Sequence, residues 1–336
     1  MAPSLDIILV NRNSGRHFRE CLASIAQCVK TGLDLDRIVV VDDDSSDESL
    51  CGIEQFGLPL QVIRNRARSG YGRSCNRGAA ESPADYLLFL NTDTRLLAES
   101  LTVPLRFMEQ PENAKVGIVG IQLLETNGEV SRCCARFPTL GRFVVMCFGL
   151  DRLFPSFFLS HQMKEWNHLS TREVDQVIGA FLMTRRAVFE QLGGYDERFF
   201  VYMEDLDLSL RTRQLGYKSV YLPAAAAIHE GGGTANQVKA ESLFFLSRSR
   251  IQYGFKHFGH FRRWALLFLT VLLEPLSRLV FAAWRGSMQE IRETLRAYAM
   301  LWRALPALFS EDRLASGREG NTSSSLPPKA QKEMKA

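Results

Sequence analysis

Four short apolar runs, Leu5 to Val10, Ile38 to Val41, Leu60 to Ile63 and Tyr86 to Leu90, punctuate the first ninety residues, and the first, second and fourth each end in a polar cluster. Between them the spacing turns helical. His17 to Cys28 carries Phe18, Leu22 and Ile25, intervals of four and three that mark a helix with one buried face. Ser45 and Ser46 offer caps for a helix over Glu48 to Phe56, a Gly-rich loop at Ser69 to Gly72 leads into one over Arg73 to Glu81, and another is expected from Ala98 to Glu109. Strands that alternate with helices hide their apolar faces in a mostly parallel sheet covered on both sides. The expected class is α/β, and such sheets bind ligands beyond the carboxyl ends of their strands.

Further along, Val116 to Ile121, Val177 to Thr184 and Tyr217 to Leu222 read as strands, the last ending at Pro223, while Arg132 to Phe158 reads as irregular structure or short helices. A chain of 336 residues, 46% hydrophobic and 23% charged, has room for one large domain with an appended helical region, and its composition excludes both wholesale disorder and a multi-span membrane protein. Seven cysteines, with no C-x-x-C pair, suit a reducing cytoplasm, and the N-terminus lacks the basic and long apolar regions of a secretory signal.

Three polar clusters and one acidic pair carry the chemistry. In VVVDDDSSDES, strand-end carboxylates can accept hydrogen bonds from a nucleobase and from ribose hydroxyls, although Asp and Ser are also ordinary turn residues. In NRARSGYGRSCNRG, Gly70 and Gly72 permit close backbone approach and Arg68 or Arg73 can meet a diphosphate; no P-loop or G-x-G-x-x-G spacing occurs. In LFLNTDT, Asp93 is placed to hold a divalent cation that bridges phosphate oxygens. Finally Glu204, Asp205 and Asp207 precede a helix with leucines at 206, 208, 210 and 215. Carboxylates at a helix entrance are commonly plain dipole partners, and they also suit a general base.

In order and context these motifs resemble the glycosyltransferase family 2 enzymes of the GT-A fold, especially the bacterial rhamnosyltransferase-like branch, from about Leu5 to Gly259. The resemblance rests on ILVNRNS, VVVDDDSSDES, N-x-x-x-x-G-x-G-x-x-x-N-x-G from Asn65 to Gly78, FLNTDT, and GAFLMTRR followed by GGYDERFFVYMEDLDLSLR. It implies an inverting hexosyltransferase that uses Mg2+ or Mn2+. Asp205 is then the catalytic base with Glu204 beside it, and Gly179 and Ala180 are the small residues that admit the acceptor. Val10, Asp42, Asp43, Arg73, Asn76, Thr92 and Asp93 would face the nucleotide sugar, with Asp93 and His229 as metal ligands. Asn91 replaces the first acid of the family's D-x-D motif, and Arg12 stands where an aromatic is usual. The implied reaction moves a sugar, rhamnose from dTDP-rhamnose as first expectation, from a nucleoside diphosphate donor to a glycan or lipid-linked acceptor in cell-surface polysaccharide synthesis. Alternatives are a catalytically idle sugar-nucleotide-binding protein and a sugar nucleotidyltransferase.

The C-terminal part is basic and amphipathic. From Arg248 to Arg303, ten Lys or Arg face three Glu, although the whole chain carries only +4. Trp264 to Leu273 and Leu279 to Trp284 are apolar, but Glu274, Pro275 and Arg278 lie between them. A spanning helix would carry those through hydrocarbon, so helices on the membrane surface are expected, with Arg262, Arg263, Arg285, Arg292 and Arg296 near headgroups. A span around 264–284, or a helical pair packed on the main domain, stays open. Aliphatic rather than polar residues interleave the aromatics, so no nucleic-acid partner is expected. The expected organisation is a GT-A domain over 1–240, a membrane-associating helical region over 241–312 and a disordered tail over 313–336, in a protein peripheral on the inner face of the cytoplasmic membrane.

Overall fold

A computed structural model describes residues 3–29, 35–231 and 239–322, with side chains to residue 310. The chain divides into two compact units, Met1–Ser249 and Arg250–Ala336.

In the first unit β1 (Leu5–Asn11), α1 (Gly15–Val29), β2 (Leu35–Asp42), β3 (Leu60–Arg64), α2 (Tyr71–Ala80) and β4 (Tyr86–Asn91) form successive β-α steps. β3, β2, β1 and β4 pair in parallel in that order. Leu5, Ile7, Ile8 and Leu9 are almost fully buried, as a strand covered on both faces requires. Each such side chain contributes about 1.5–3 kcal/mol.

β5 (Thr94–Leu96), α3 (Thr102–Glu109), β6 (Val116–Leu124) and β7 (Cys134–Ala135) follow. After them come α4 (Leu140–Cys147), α5 (Leu150–Leu153), β8 (Arg172–Val174), β9 (Gln176–Val177), β10 (Phe181–Arg185), α6 (Arg186–Gln191), α7 (Glu204–Gln214) and β11 (Lys218–His229). The sheet continues from β4 through β10, β6 and β11 to β5; β10 runs antiparallel to β4 and β6, and β11 runs parallel to β6. The mostly parallel α/β expectation holds.

Several details differ from the sequence reading. Glu48 to Phe56 is not an α-helix: it is a turn followed by a 3-10 turn at Ile53–Phe56 between Gly52 and Gly57, both left-handed. There Asp47 accepts from the Gly15 amide at 3.0 Å and the Ser49 hydroxyl at 2.6 Å, local bonds that compete with a helix. The polar cluster after β4 is followed by a short strand at Thr94–Leu96, and the helix expected from Ala98 starts at Thr102, residues 98–101 being turn. The strand expected over Val177 to Thr184 is broken at residues 178–180, because β9 pairs with β7 in a separate small sheet while β10 joins the main one. β11 does not stop at Pro223. It passes through a register shift between Leu222 and Ala226, an irregularity that accommodates a residue with no N–H.

α8 (Lys239–His257) leads into the second unit, where α9 (His260–Phe268), a π-turn at Leu269–Leu273 and α10 (Glu274–Trp284) form one continuous rod, followed by α11 (Met288–Thr322). By length and composition His260–Trp284 is able to cross a membrane. Its Glu274 is only 4% exposed and is paired with Arg250 and, at 3.0 Å, with Arg278. Burial alone would raise the Glu274 pKa, and the two guanidiniums outweigh it and hold the carboxyl below its usual range. Of the tail expected from residue 313, the backbone to Thr322 continues α11, and 323–336 lie outside the described residues.

Candidate active site

The carboxyl ends of β1, β2 and β4 lie side by side: Val10 is in register with Val41 on one side and Asn91 on the other. Asn11, fully buried, donates from Nδ2 to Asp42 at 2.9 Å, Ser45 at 3.1 Å and Ser49 at 2.8 Å. Asp42 therefore serves first to close the β1–β2 edge. Asp43 accepts at Oδ1 from Asn65 Nδ2 (2.8 Å) and the Ser69 amide (2.7 Å), and at Oδ2 from the Gly70 amide (3.1 Å). Its carboxylate fixes the Gly-rich loop at the mouth of the cleft. Thr92 meets the Ser14 hydroxyl at 2.8 Å.

That loop is tied to the acidic segment. The Tyr71 amide donates to Phe200 O at 2.8 Å, and Arg68 lies over the rings of Phe200 and Phe245 at 4.9 and 5.2 Å. Arg73 and Asn76 go elsewhere. Arg73 pairs with Glu197 at 3.2 Å, and Asn76 donates to Tyr195 O and accepts from its amide, both at 2.8 Å. The two residues line a separate surface hollow with Arg66 and Arg77, and their geometry is that of loop anchors.

Tyr202 and Met203, neither of them glycine, both sit at φ 68 immediately before α7. Such backbone costs about 1–3 kcal/mol per residue and persists where the surroundings enforce it; here Val201 O is held by the Ser249 hydroxyl at 2.8 Å. The strained turn aims the acids in different directions. Glu204 is 7% exposed, and its Oε2 has no hydrogen-bond partner. Asp205 faces a cavity of about 390 Å³ and accepts from the Gly179 amide at 2.9 Å and the Leu206 amide at 2.8 Å. Burial pushes its pKa up, while these amides and the Gln176 side chain partly offset that. Burial and then the neighbouring Asp205 charge push Glu204 well above its usual range. Glu204 is pushed further up than Asp205, which leaves Asp205 the more readily ionised of the two. A base at Asp205 would work ionised, so activity is expected to fall as pH drops through an apparent pKa above the ordinary carboxylate range. Glu204→Gln is expected to leave that acid limb of kcat/KM within about half a unit of wild type, since Glu204, the later of the two to ionise, still holds its proton where Asp205 titrates. A limb displaced downward by a unit or more would mean that Glu204 is ionised beside Asp205.

The break at residues 178–180 now has a purpose. Ile178 is held to Cys133 O at 3.0 Å and Asn91 to Ala180 O at 3.1 Å, which leaves Gly179 at the cavity wall. A Cβ added there would meet Asp205 Oδ2 at 3.6 Å and the Tyr71 ring at 3.9 Å, so the space it leaves lies directly against Asp205. Asn91 and His229 line the same cavity. His229, the last residue of β11, stands in register with Thr94, and its Nε2 is 3.3 Å from Asp93 Oδ1. Burial raises the Asp93 pKa, and the His229 bond and charge more than reverse it, so the carboxyl lies below its usual range. An ionised oxygen ligand beside an imidazole, both partly buried, fits a divalent cation of the manganese or magnesium kind. Gln176, Tyr71 and Arg132, none singled out in the sequence, also line the cavity; Gln176 lies three residues before Gly179, a proximity that could have flagged it.

The mixed sheet, with strand-end acids along one edge, Asp93 beside His229, and Asp205 on a cavity of about 390 Å³, has the architecture of a glycosyltransferase of the GT-A type. The chain belongs to glycosyl transferase family 2, whose profile matches residues 6–193, more than half of its length. It is 27% identical over 286 residues to the N-acetylglucosaminyl-diphospho-decaprenol L-rhamnosyltransferase of Mycobacterium tuberculosis, covering 79% of this chain and 90% of that one. It is 28% identical over 199 residues to rhamnosyltransferase WbbL of Escherichia coli K12, covering 57% of this chain and 72% of that one. Among solved structures, the mannosyltransferase PcManGT of Pyrobaculum calidifontis, in complex with GDP-Man and Mn2+, superposes with a TM-score of 0.52 at 16% identity, covering 95% of this chain and 80% of that one. That likeness is one of fold. Asp205 lies beyond the matched family segment, so its assignment stands on the cavity geometry.

Proposed function

We propose that this enzyme transfers rhamnose from dTDP-rhamnose to a sugar hydroxyl of a lipid-linked glycan, with inversion, during cell-surface polysaccharide synthesis. The observation that carries the reading is Asp205, held by two backbone amides and open to the same cavity as Asn91 and His229; the two rhamnosyltransferase relatives support the choice of sugar. The nucleotide lies over the ends of β1, β2 and β4, against Val10, Asp42, Asp43 and Thr92. Asp205 takes the proton of the acceptor hydroxyl, whose oxygen bonds to the anomeric carbon as the bond to the diphosphate breaks on the opposite face. The electron pair leaves with the diphosphate and the proton stays on Asp205. Asp93 and His229 would hold a divalent cation, which supplies charge neutralisation for the diphosphate. Glu204, the harder of the two acids to ionise, lies beside the base, and Gly179 and Ala180 leave room for the acceptor ring.

The test is release of the free nucleoside diphosphate from a panel of dTDP-, UDP- and GDP-sugars, with Mn2+ or Mg2+ and again with a chelator. Turnover of dTDP-rhamnose that the chelator abolishes is expected. Turnover of another donor alone would overturn the rhamnosyl reading, and turnover indifferent to chelation would overturn the metal reading.

The second unit is read as a device for lying on the membrane. Phe261, Trp264, Phe268, Leu272, Leu276, Val280 and Trp284 are all exposed and recur every three or four residues, one stripe along one rod. Arg262 and Arg285 are exposed at its two ends. An in-plane helix needs one apolar face with cations beside it, whereas a spanning helix is apolar all round. The paired replacement Phe261→Glu with Trp284→Glu is expected to abolish co-flotation with anionic vesicles while donor turnover persists. Retention on vesicles through alkaline carbonate washing would contradict the in-plane reading.

A further inference from the structure

The first unit carries an apolar surface of its own, in the segment that leads into the wall of the Asp205 cavity. From Leu140 to Leu159 thirteen of twenty residues are apolar, yet α4 buries only Phe143 and Cys147. Met146, Phe148, Leu153, Phe154, Phe157 and Leu159 are exposed, Phe157 at 83%. The exposure is built into an ordered segment. At its start the Phe137 amide donates to Asp175 at 2.8 Å, and at its tip the Phe157 and Phe158 amides both donate to Phe154 O at 3.1 Å. At its end Arg136 donates from its amide to His161 O at 2.9 Å and from its guanidinium to Ser160 O at 2.8 Å. The next two residues, His161 and Gln162, line the cavity with Gln176 and Gly179. A fastened segment that turns six large apolar side chains to the outside marks an interaction surface.

Chemistry selects what covers it. The six side chains carry no N–H or O–H group, so their partner has to be apolar and need offer no hydrogen bonds. From Arg136 to Glu165 four Lys or Arg face two acids, and both acids are taken, Glu165 by Arg136 and Asp151 by Lys164 at 3.8 Å. Arg142 and Arg152 are left as an excess of positive charge beside the apolar tip, which a second copy of the chain would meet with the same sign. The stretches of this chain outside the described residues are polar, the longest reading SSSLPPKAQKEMKA, and supply no apolar complement. Hydrocarbon beneath anionic headgroups matches both the apolar tip and the charge around it. We propose that residues 148–159 dip into the surface of an anionic bilayer, as a membrane contact of the first unit separate from the rod of the second. Stable peripheral binding takes two signals, and this segment supplies the one that lies in the chain next to the cavity wall. On the reading of that cavity as the acceptor site, the contact lets a membrane-held acceptor reach Asp205 without leaving the lipid.

Hydrogen–deuterium exchange of the full chain, with and without vesicles of phosphatidylcholine and phosphatidylglycerol, reads the contact directly. The vesicles are expected to slow exchange of the amides over 148–159 by about 10-fold or more. Phe154→Ser with Phe157→Ser, two exposed positions whose replacement leaves the thermal midpoint unchanged, is expected to remove that protection and to weaken partitioning onto the vesicles about 10- to 100-fold. Unchanged exchange over 148–159 in vesicle-bound wild type would overturn the proposal, as would a double variant that partitions like wild type. Protection that grows with protein concentration in the absence of vesicles would overturn it in favour of a second copy of the chain. Neither readout involves a donor or an acceptor, so the result stands even where the donor panel contradicts the rhamnosyl reading.

Discussion

Asp205→Asn is expected to leave the protein folded and the donor bound with unchanged affinity, while transfer falls about 10³-fold. Asn is isosteric, and its carbonyl oxygen can keep the Gly179 amide bond in place of Oδ2 while the Leu206 amide loses its acceptor at Oδ1, a loss of about 0.5–1.5 kcal/mol that leaves the fold intact. What is lost is the proton acceptor, and general base catalysis contributes roughly 10²–10⁴-fold. Single-turnover product formation measures the rate, and calorimetric donor binding measures the site. If rate and donor affinity fell together, Asp205 would be a donor ligand and not the base.

The second large effect is at Gly70. Its φ of 90 and ψ of 166 are accessible to glycine and strained for any other residue, and a Cβ would stand 2.4 Å from Phe200 O and 2.8 Å from the Phe200 ring. Neither neighbour gives way cheaply, because the oxygen accepts the Tyr71 amide and the ring carries Arg68. Backbone strain and overpacking together cost about 3–5 kcal/mol, enough to lower the thermal midpoint by several degrees. The displaced loop would also release the Ser69 and Gly70 amides from Asp43. Gly70→Ala is thus expected to weaken donor binding and slow transfer at once, since one loop joins the nucleotide edge to the segment that carries the base. Thermal denaturation and donor titration check it together. A variant with unchanged donor affinity would show that the loop does not couple the two sites.

The central sheet was legible in the sequence because its strands are covered on both faces, and Leu5 to Val10 or Tyr86 to Leu90 can then be continuous apolar runs. The acids at the start of α7 were legible as a helix entrance. Long-range pairing was not. β11 reads as ending at Pro223, so nothing local foretells that it runs on to His229 and sets that imidazole beside Asp93. Nor does spacing reveal that residues 178–180 leave one sheet for another, which is what turns Gly179 toward Asp205. Motif order joined Arg73 and Asn76 to the nucleotide cleft, but helix α2 turns both toward the Tyr195–Glu197 loop.

The most direct test of the account is the anomeric configuration of the product, read by proton NMR of the new glycosidic linkage formed with dTDP-rhamnose and a lipid-linked acceptor analogue. A single displacement driven by one base at Asp205 predicts a configuration opposite to that of the donor in every product molecule. A product that retains the donor configuration would contradict it.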